Sequence, residues 1–161
     1  MALDLEAIEL IKQLKHKYFR CLDMADHAEL ATTLTEDVTI DYRGGSYHAE
    51  YDNRAEFFAF LANAFHSEAV AQHTAHHPEI EVAADGKSAT GKWYLHDIFW
   101  DLKYRVKTSG VAVYEDRYVK TDDGWKIAHS GYTRVYEMVE KIEETPPFTA
   151  RHLKTAGKVL P

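Results

Sequence analysis

The chain is poor in the residues that mark secreted and membrane proteins. Its 161 residues include one cysteine, Cys21, and four prolines. A lone cysteine cannot form an internal disulfide framework, which favours a reducing compartment, so we expect a cytoplasmic protein. The first residues lack a basic segment followed by an apolar one, and no signal peptide is expected. No apolar run approaches the roughly 18–20 residues that cross a bilayer, so no membrane association is expected.

Positive charge is also scarce. Lys and Arg number 19 against 26 Asp and Glu, and the formal net charge is −7. Without a basic stripe, nucleic acid is not an expected partner. Hydrophobic residues make up 45% of the chain and aromatic residues 12%, enough for a core built around a cavity. The length predicts a single domain over residues 1–161.

The N-terminal part of the chain has a helical pattern. Apolar residues recur at three- and four-residue spacing over residues 4–23, which predicts an amphipathic helix. Tyr18 belongs to its buried stripe, whereas Lys12, Lys15 and Lys17 lie off it. The expected role of Tyr18 is therefore either a core tyrosine or a site residue.

Two further helices are indicated by capping boxes, in which an Asp or Asn is followed three residues later by Glu. Asp26 begins a short second helix that is expected to carry Leu30 and Leu34. Asn53 begins a third helix over residues 54–66, with Phe57 and Leu61 on its buried face.

The remaining chain is rich in strand patterns. Alternating or aromatic-rich runs, bounded by turn signals such as Asp85-Gly86, predict the strands Val38–Tyr42, Ala71–His76, Glu79–Val82, Ser88–Trp100, Ser109–Lys120 and Trp125–Val139. Helices followed by antiparallel strands define an α+β fold. A strongly curved sheet around the helices would form a cone with an apolar pocket. Residues 140–161 are expected to form a C-terminal tail or lid.

Several polar residues lie on faces that are predicted to be buried. Asp23 follows the apolar Leu22 and has no capping role, which makes it a candidate site residue or, alternatively, an exposed turn residue. Tyr42 shares a strand face with apolar side chains. His73 is either a buried neutral histidine or a general base. A carboxylate beside it would fix its tautomer and raise its pKa towards neutrality, as a base requires.

The long strands supply further candidates. Strand alternation places Trp93 and Asp97 on the more apolar face of Ser88–Trp100 and His96 on the other, although a bulge would reverse this, so both His96 and Asp97 are candidates. Arg134 could bind an anionic substrate group, pair with an acid or lie on the surface. The residues expected to contact a small hydrophobic ligand are Trp93, Phe57, Leu61, Tyr114 and Arg134. Asp116 is expected to be structural.

No metal or cofactor is expected. His73 and His77 share a strand face but are too far apart to chelate without a bend. No HExxH motif or cysteine pair accompanies these residues, and His76 and His77 are expected to be solvated residues at a strand end.

Several stretches resemble the SnoaL-like branch of the NTF2-like superfamily, and scytalone dehydratase in particular. They are Leu22-Asp23, Ile40-Asp41-Tyr42-Arg43, Gln72-His73 and the closing patterns Tyr114–Tyr118 and Gly124–Ala128, within residues 6–136. The resemblance implies a cone-shaped α+β barrel, usually oligomeric, with cofactor-free chemistry. It assigns Asp23 as the acid that orients the base His73, and Tyr42 as a tyrosine that holds water. The position of the family's second tyrosine is occupied by Leu22 in this chain, and Tyr18 would take over its role. His96 or Asp97 would take the place of the family's second histidine.

The sequence therefore predicts a cofactor-independent dehydratase- or isomerase-type enzyme for a hydrophobic, carbonyl-bearing polycyclic or aromatic molecule. The alternatives are a non-catalytic binding or oligomerisation module of the same fold and a polyketide cyclase-type enzyme. Tyr94, Ile98 and Trp100 on the outer strand face predict a homo-oligomer, a dimer or a trimer.

Overall fold

The computed structural model describes residues 3–161 as a curved sheet with helices against its inner face. The elements, in chain order, are α1 (Leu5–Asp23), α2 (His27–Ala31), β1 (Leu34–Arg43), β2 (His48–Tyr51), α3 (Arg54–Ala64), β3 (Ala69–Val82), β4 (Ser88–Asp101), β5 (Val106–Thr121), β6 (Gly124–Lys141) and α4 (Leu153–Ala156). Asp4, Asp26 and Asn53 cap the first three helices by accepting a backbone N–H three residues on.

The sheet has six strands in the order β2-β1-β6-β5-β4-β3. Only the β1–β6 pair is parallel, and the other neighbours are antiparallel. The sheet curls but does not close, with α1 packed chiefly on β3 and α3 on β1. The predicted α+β fold is confirmed, and the helices and the inner face of the sheet enclose the space in which a site can form.

Some predicted boundaries were wrong. Leu34, expected on the second helix, begins β1, and the third helix ends at Ala64. The two strands predicted between residues 71 and 82 form one strand, with a bulge between His76 and Glu79 that flips the side-chain alternation. The edge strand β2 was not predicted, because four residues are too few to show a period.

Lys15 was also misplaced by the helical pattern. Its side chain is fully buried, with Nζ 2.7 Å from an Asp116 carboxylate oxygen and 3.7 Å from the ring centroid of Tyr114. Asp116 also accepts hydrogen bonds from the Tyr118 hydroxyl and the Ser130 hydroxyl. This network joins α1 to strands β5 and β6, which agrees with the structural role expected for Asp116.

The segment after β6 packs along the outside of the fold. Leu153 is buried, the His152 ring contacts the Met24 carbonyl, and Lys158 pairs with His66 in a short parallel bridge. Within residues 3–161, none of the cavity-lining side chains described below comes from this segment. That this segment forms a C-terminal tail or lid stays a prediction. No helix in the described range has the length and apolarity needed to cross a membrane.

Candidate active site

A cavity of about 370 Å³ lies between the helices and the inner face of the sheet. Most of its wall is apolar, as expected for a site that takes a hydrophobic ligand. Its apolar lining includes Leu22, Ala49, Phe57, Phe60, Leu61, Ala64, Phe65, Leu95 and Phe99. Its polar lining consists of Tyr42, Tyr47, His48, Tyr51, His73, Asp97, Thr108, Tyr114, Tyr132 and Arg134.

His73 lines this cavity and forms a hydrogen-bonded pair with Asp23, which does not line it. Asp23 is the last residue of α1, and its Oδ1 lies 2.6 Å from Nδ1 of His73 on β3. Its other oxygen accepts the backbone N–H of His73 at 2.9 Å. An ionised carboxylate can only accept, so Nδ1 carries a hydrogen, and in the neutral imidazole Nε2 then keeps its lone pair. The pair therefore presents an unprotonated nitrogen suited to removing a proton.

Aromatic rings hold the imidazole in place. Phe19 stacks on it with ring centroids 6.0 Å apart, and Phe65 lies at 5.9 Å. The His73 side chain is only 13% exposed. With the ring packed and both Asp23 oxygens used, His73 has little freedom to rotate away from the cavity.

Two tyrosines form a second hydrogen-bonded pair. The hydroxyl oxygens of Tyr18 and Tyr42 lie 2.5 Å apart, and burial is the main cause that raises the pKa of each above its usual value. Tyr18 is fully buried and has no other side-chain partner within residues 3–161. Its hydroxyl hydrogen is therefore donated to the Tyr42 oxygen, because otherwise it would be buried without an acceptor. The Tyr42 hydroxyl keeps its own proton, which in the free protein it donates to the Ser130 hydroxyl at 3.4 Å. Tyr18 does not line the cavity; it acts from behind Tyr42.

Asp97, the cross-strand neighbour of His73, and Arg134 make a buried ion pair in the same wall. The two terminal guanidinium nitrogens of Arg134 donate to the two Asp97 oxygens at 2.5 and 2.8 Å. Nη2 also donates to the Tyr47 hydroxyl at 3.2 Å. Burial acts to lower the pKa of Arg134, but its hydrogen bonds to Asp97 and the neighbouring Tyr47, Asp97 and Tyr132 together raise it. Arg134 therefore pairs with an acid, one of the expected alternatives.

Two candidate residues do not line the cavity, and for His96 this is the orientation that strand alternation favoured. His96 is exposed on the outer face of β4, because this strand has no bulge to reverse its alternation. Trp93 faces inward but is buried in the core, where its indole N–H donates to the Tyr118 hydroxyl at 2.9 Å, and it does not line the cavity. The other expected ligand contacts, Phe57, Leu61, Tyr114 and Arg134, do line it.

Tyr47 and Glu137 were not among the predicted site residues. Tyr47 lies on the β1–β2 hairpin, and its hydroxyl contacts that of Tyr132. Glu137 lies against Arg134, with Oε2 3.3 Å from Nε, and its Oε1 accepts from the Ser46 backbone N–H and hydroxyl. The Gly44-Gly45 turn signal could have pointed to Tyr47, but no local signal pointed to Glu137.

One group of side chains has the spacing of metal ligands. Asp41, His48 and Glu50, on the β1–β2 hairpin, offer ligand atoms within 4.8 Å of one another. Asp41 is already bonded by Arg43 and His48. His76 and His77 are exposed at the β3 bulge and do not line the cavity.

Comparison with known proteins places the chain in a family. A family model described as a SnoaL-like domain matches residues 3–131. The chain therefore belongs to the SnoaL-like family, and the predicted resemblance is confirmed.

Solved structures share its fold. A hexachlorocyclohexane dehydrochlorinase (LinA) of type 2 is 16% identical over 89% of this chain and 95% of its own, with a TM-score of 0.75. A protein from Novosphingobium aromaticivorans described as a candidate scytalone dehydratase is 20% identical over 91% and 96%, with a TM-score of 0.71. ActVI-ORFA from Streptomyces coelicolor is 22% identical over 80% and 96%, with a TM-score of 0.64. At these identities the likeness establishes the fold.

Proposed function

We propose that this protein is a cofactor-independent acid–base enzyme, a lyase of the dehydratase type or an isomerase. Its substrate would be a hydrophobic, carbonyl-bearing polycyclic or aromatic molecule. The observation that carries the proposal is the Asp23–His73 pair, joined at 2.6 Å, with His73 in the wall of an apolar cavity. A histidine oriented in this way by a carboxylate is a standard general base.

The first step removes a proton from a carbon next to the carbonyl group. Nε2 of His73 takes the proton, and the electron pair of the C–H bond moves to form an enolate. The Asp23 carboxylate stabilises the resulting imidazolium at Nδ1. The Tyr42 hydroxyl, polarised by the hydrogen bond that Tyr18 donates, stabilises the enolate oxygen.

The second step returns the proton from the imidazolium. In an isomerisation the proton goes to another carbon of the conjugated system. In a dehydration it goes to a departing hydroxyl group, while the enolate electrons form the new double bond and water leaves. His73 serves this role because Asp97 is bound by Arg134 as a carboxylate and His96 faces outward.

Proton exchange at a ketone tests the base without knowledge of the natural substrate. The probe is 2-tetralone, a neutral bicyclic ketone with acidic protons next to its carbonyl, incubated in D₂O and followed by ¹H NMR. We expect the protein to accelerate deuterium incorporation and His73→Ala to lose about 10³–10⁴-fold of that acceleration. His76→Ala is the matched control, because His76 lies exposed on the same strand.

The orienting acid is tested in the same assay. Asp23→Asn should also lose most of the acceleration, and the double variant with His73→Ala should lose little more, because the two groups act as a unit. Asp37→Asn, an exposed carboxylate, is the control. Exchange that is as fast in His73→Ala as in the wild type would end the proposal and favour a binding module.

A further inference from the structure

The positive charge of Arg134 is already neutralised within the protein. Both Asp97 oxygens accept from its terminal nitrogens, the Tyr47 hydroxyl accepts from Nη2, and Glu137 lies against Nε. The Arg134, Asp97 and Glu137 side chains are only 7%, 8% and 6% exposed. A cation paired with two buried carboxylates has little affinity left for an anion from outside.

The sheet is built to bring these charges together. His73, Asp97, Gly110 and Glu137 are cross-strand partners on four neighbouring strands, β3, β4, β5 and β6. The guanidinium of Arg134 bridges the two carboxylates that flank Gly110. A bulge in β6 beside the Val111–Ala112 step lets Arg134 and Glu137, three residues apart, both turn inward. A Cβ at position 110 would collide with the Tyr136 carbonyl oxygen, so glycine is required there.

The charges of this wall do not cancel. Asp97 and Glu137 oppose a single Arg134, which leaves one net negative charge in a largely dry environment. His73 at the end of this row is paired with another acid, Asp23 at the end of α1. Like charges brought together at a desolvated surface repel strongly, much more than in water.

From this arrangement we infer that the cavity selects uncharged ligands and rejects carboxylates, with Asp97 accepting a hydrogen bond from a hydroxyl or amide group of the ligand. Asp97 lines the cavity, and each of its oxygens has a lone pair beyond the one used by Arg134. The inference rests on the proposed function for the identity of the cavity as the substrate site. It adds that the substrate is neutral and carries a donor that reaches Asp97, next to His73.

Two probes that share the same ring system and nearly the same shape isolate the effect of ligand charge on binding. The neutral probe is 2-naphthamide, which has a donor, and the anionic probe is 2-naphthoate. Each is titrated into the full-length protein at neutral pH by calorimetry, and NMR shifts of the Leu61 methyl groups confirm that it enters the cavity. We expect the wild type to bind 2-naphthamide at least about tenfold more tightly than 2-naphthoate.

Glu137→Gln should narrow this preference by about tenfold, because Arg134 then faces a single carboxylate and can accept an anion. The affinity of the Glu137→Gln variant for 2-naphthamide should stay within about threefold of the wild-type value, because the substituted side chain is distant from this uncharged probe. The control is Glu140→Gln, which removes the same charge from an exposed position on β6 where Glu140 pairs with Lys107. This control should leave the preference unchanged and thereby exclude an effect of net charge.

The outcomes separate this inference from the proposed chemistry. Equal binding of the two probes to the wild type, binding of neither, or a preference that Glu137→Gln leaves unchanged overturns the inference. The ratio of the wild-type affinities for the two probes tests the inference even if Glu137→Gln does not fold. His73→Ala should keep the preference for the neutral probe, so a failure of the base in the 2-tetralone assay leaves this charge selection standing.

Discussion

Replacing Lys15 by Met isolates the energetic role of the buried ion pair beneath the cavity. The Nζ atom of Lys15 lies 2.7 Å from Asp116, and neither side chain is exposed to solvent. Burial lowers the pKa of Lys15, while the charge of Asp116 opposes that shift. Methionine fills a similar volume without a charge, so the substitution removes the partner of Asp116 and leaves the packing largely intact.

The expected loss in the free energy of unfolding comes from the Asp116 carboxylate, which stays buried without its cationic partner. After Lys15→Met, the Asp116 carboxylate keeps its donors from Tyr118 and Ser130 but loses its counter-charge. Breaking a buried pair in this way typically costs about 3–5 kcal/mol. For a domain of this size that loss lowers the melting temperature by roughly 6–20 °C. Asp116→Asn in the Lys15→Met background removes the stranded charge and should recover part of the loss.

Urea denaturation at pH 7 measures both effects. The control is Lys12→Met, one turn earlier on α1, where Lys12 is partly exposed and its contact with Glu9 is 4.0 Å long. We expect the control to stay within about 0.5 kcal/mol of the wild type. If Lys15→Met is no less stable than this control, or if adding Asp116→Asn destabilises it further by the full single-variant cost, the reasoning about the pair is wrong.

Two further predictions concern the surface. A hydrogen bond from Arg43, with another from His48, lowers the pKa of Asp41 from 3.8 to about 2. The stabilisation is therefore fully present above pH 3.8 and disappears as the pH falls through 2. Thermal melts of Asp41→Asn should thus lie below the wild type at neutral pH and converge with it in acid, whereas Asp37→Asn should show no such trend. Homo-oligomerisation also stays a prediction: Tyr94 is 47% exposed on the outer sheet face, and light scattering that finds a monomer at micromolar concentration would contradict it.

Local patterns were sufficient for the elements and for several site residues. The apolar stripe of residues 4–23 put Tyr18 inside and ended the helix at Asp23, as the structure does. Alternation in β4 placed Asp97 inward and His96 outward, because no bulge interrupts that strand before the cavity. Such features depend on the period of a single element, and a period can be counted in the sequence.

No pattern within a single helix or strand predicts the contact between Asp23 and His73. The two residues are 50 positions apart, and only the family resemblance joined them before the structure did. The contact forms because α1 packs on β3, so its distance and its two hydrogen bonds depend on how distant segments fit together.

The remaining features were decided by tertiary structure alone. Lys15 lies off the apolar stripe, yet Asp116 on β5 and the Tyr114 ring draw its ammonium group into the core. Glu137 should face away from Arg134 by simple alternation, but the bulge in β6 turns both inward. Sequence periodicity determined which face of an element is apolar; the partner of a buried charge and the position of a bulge were set by non-local packing, which the period of one element does not contain.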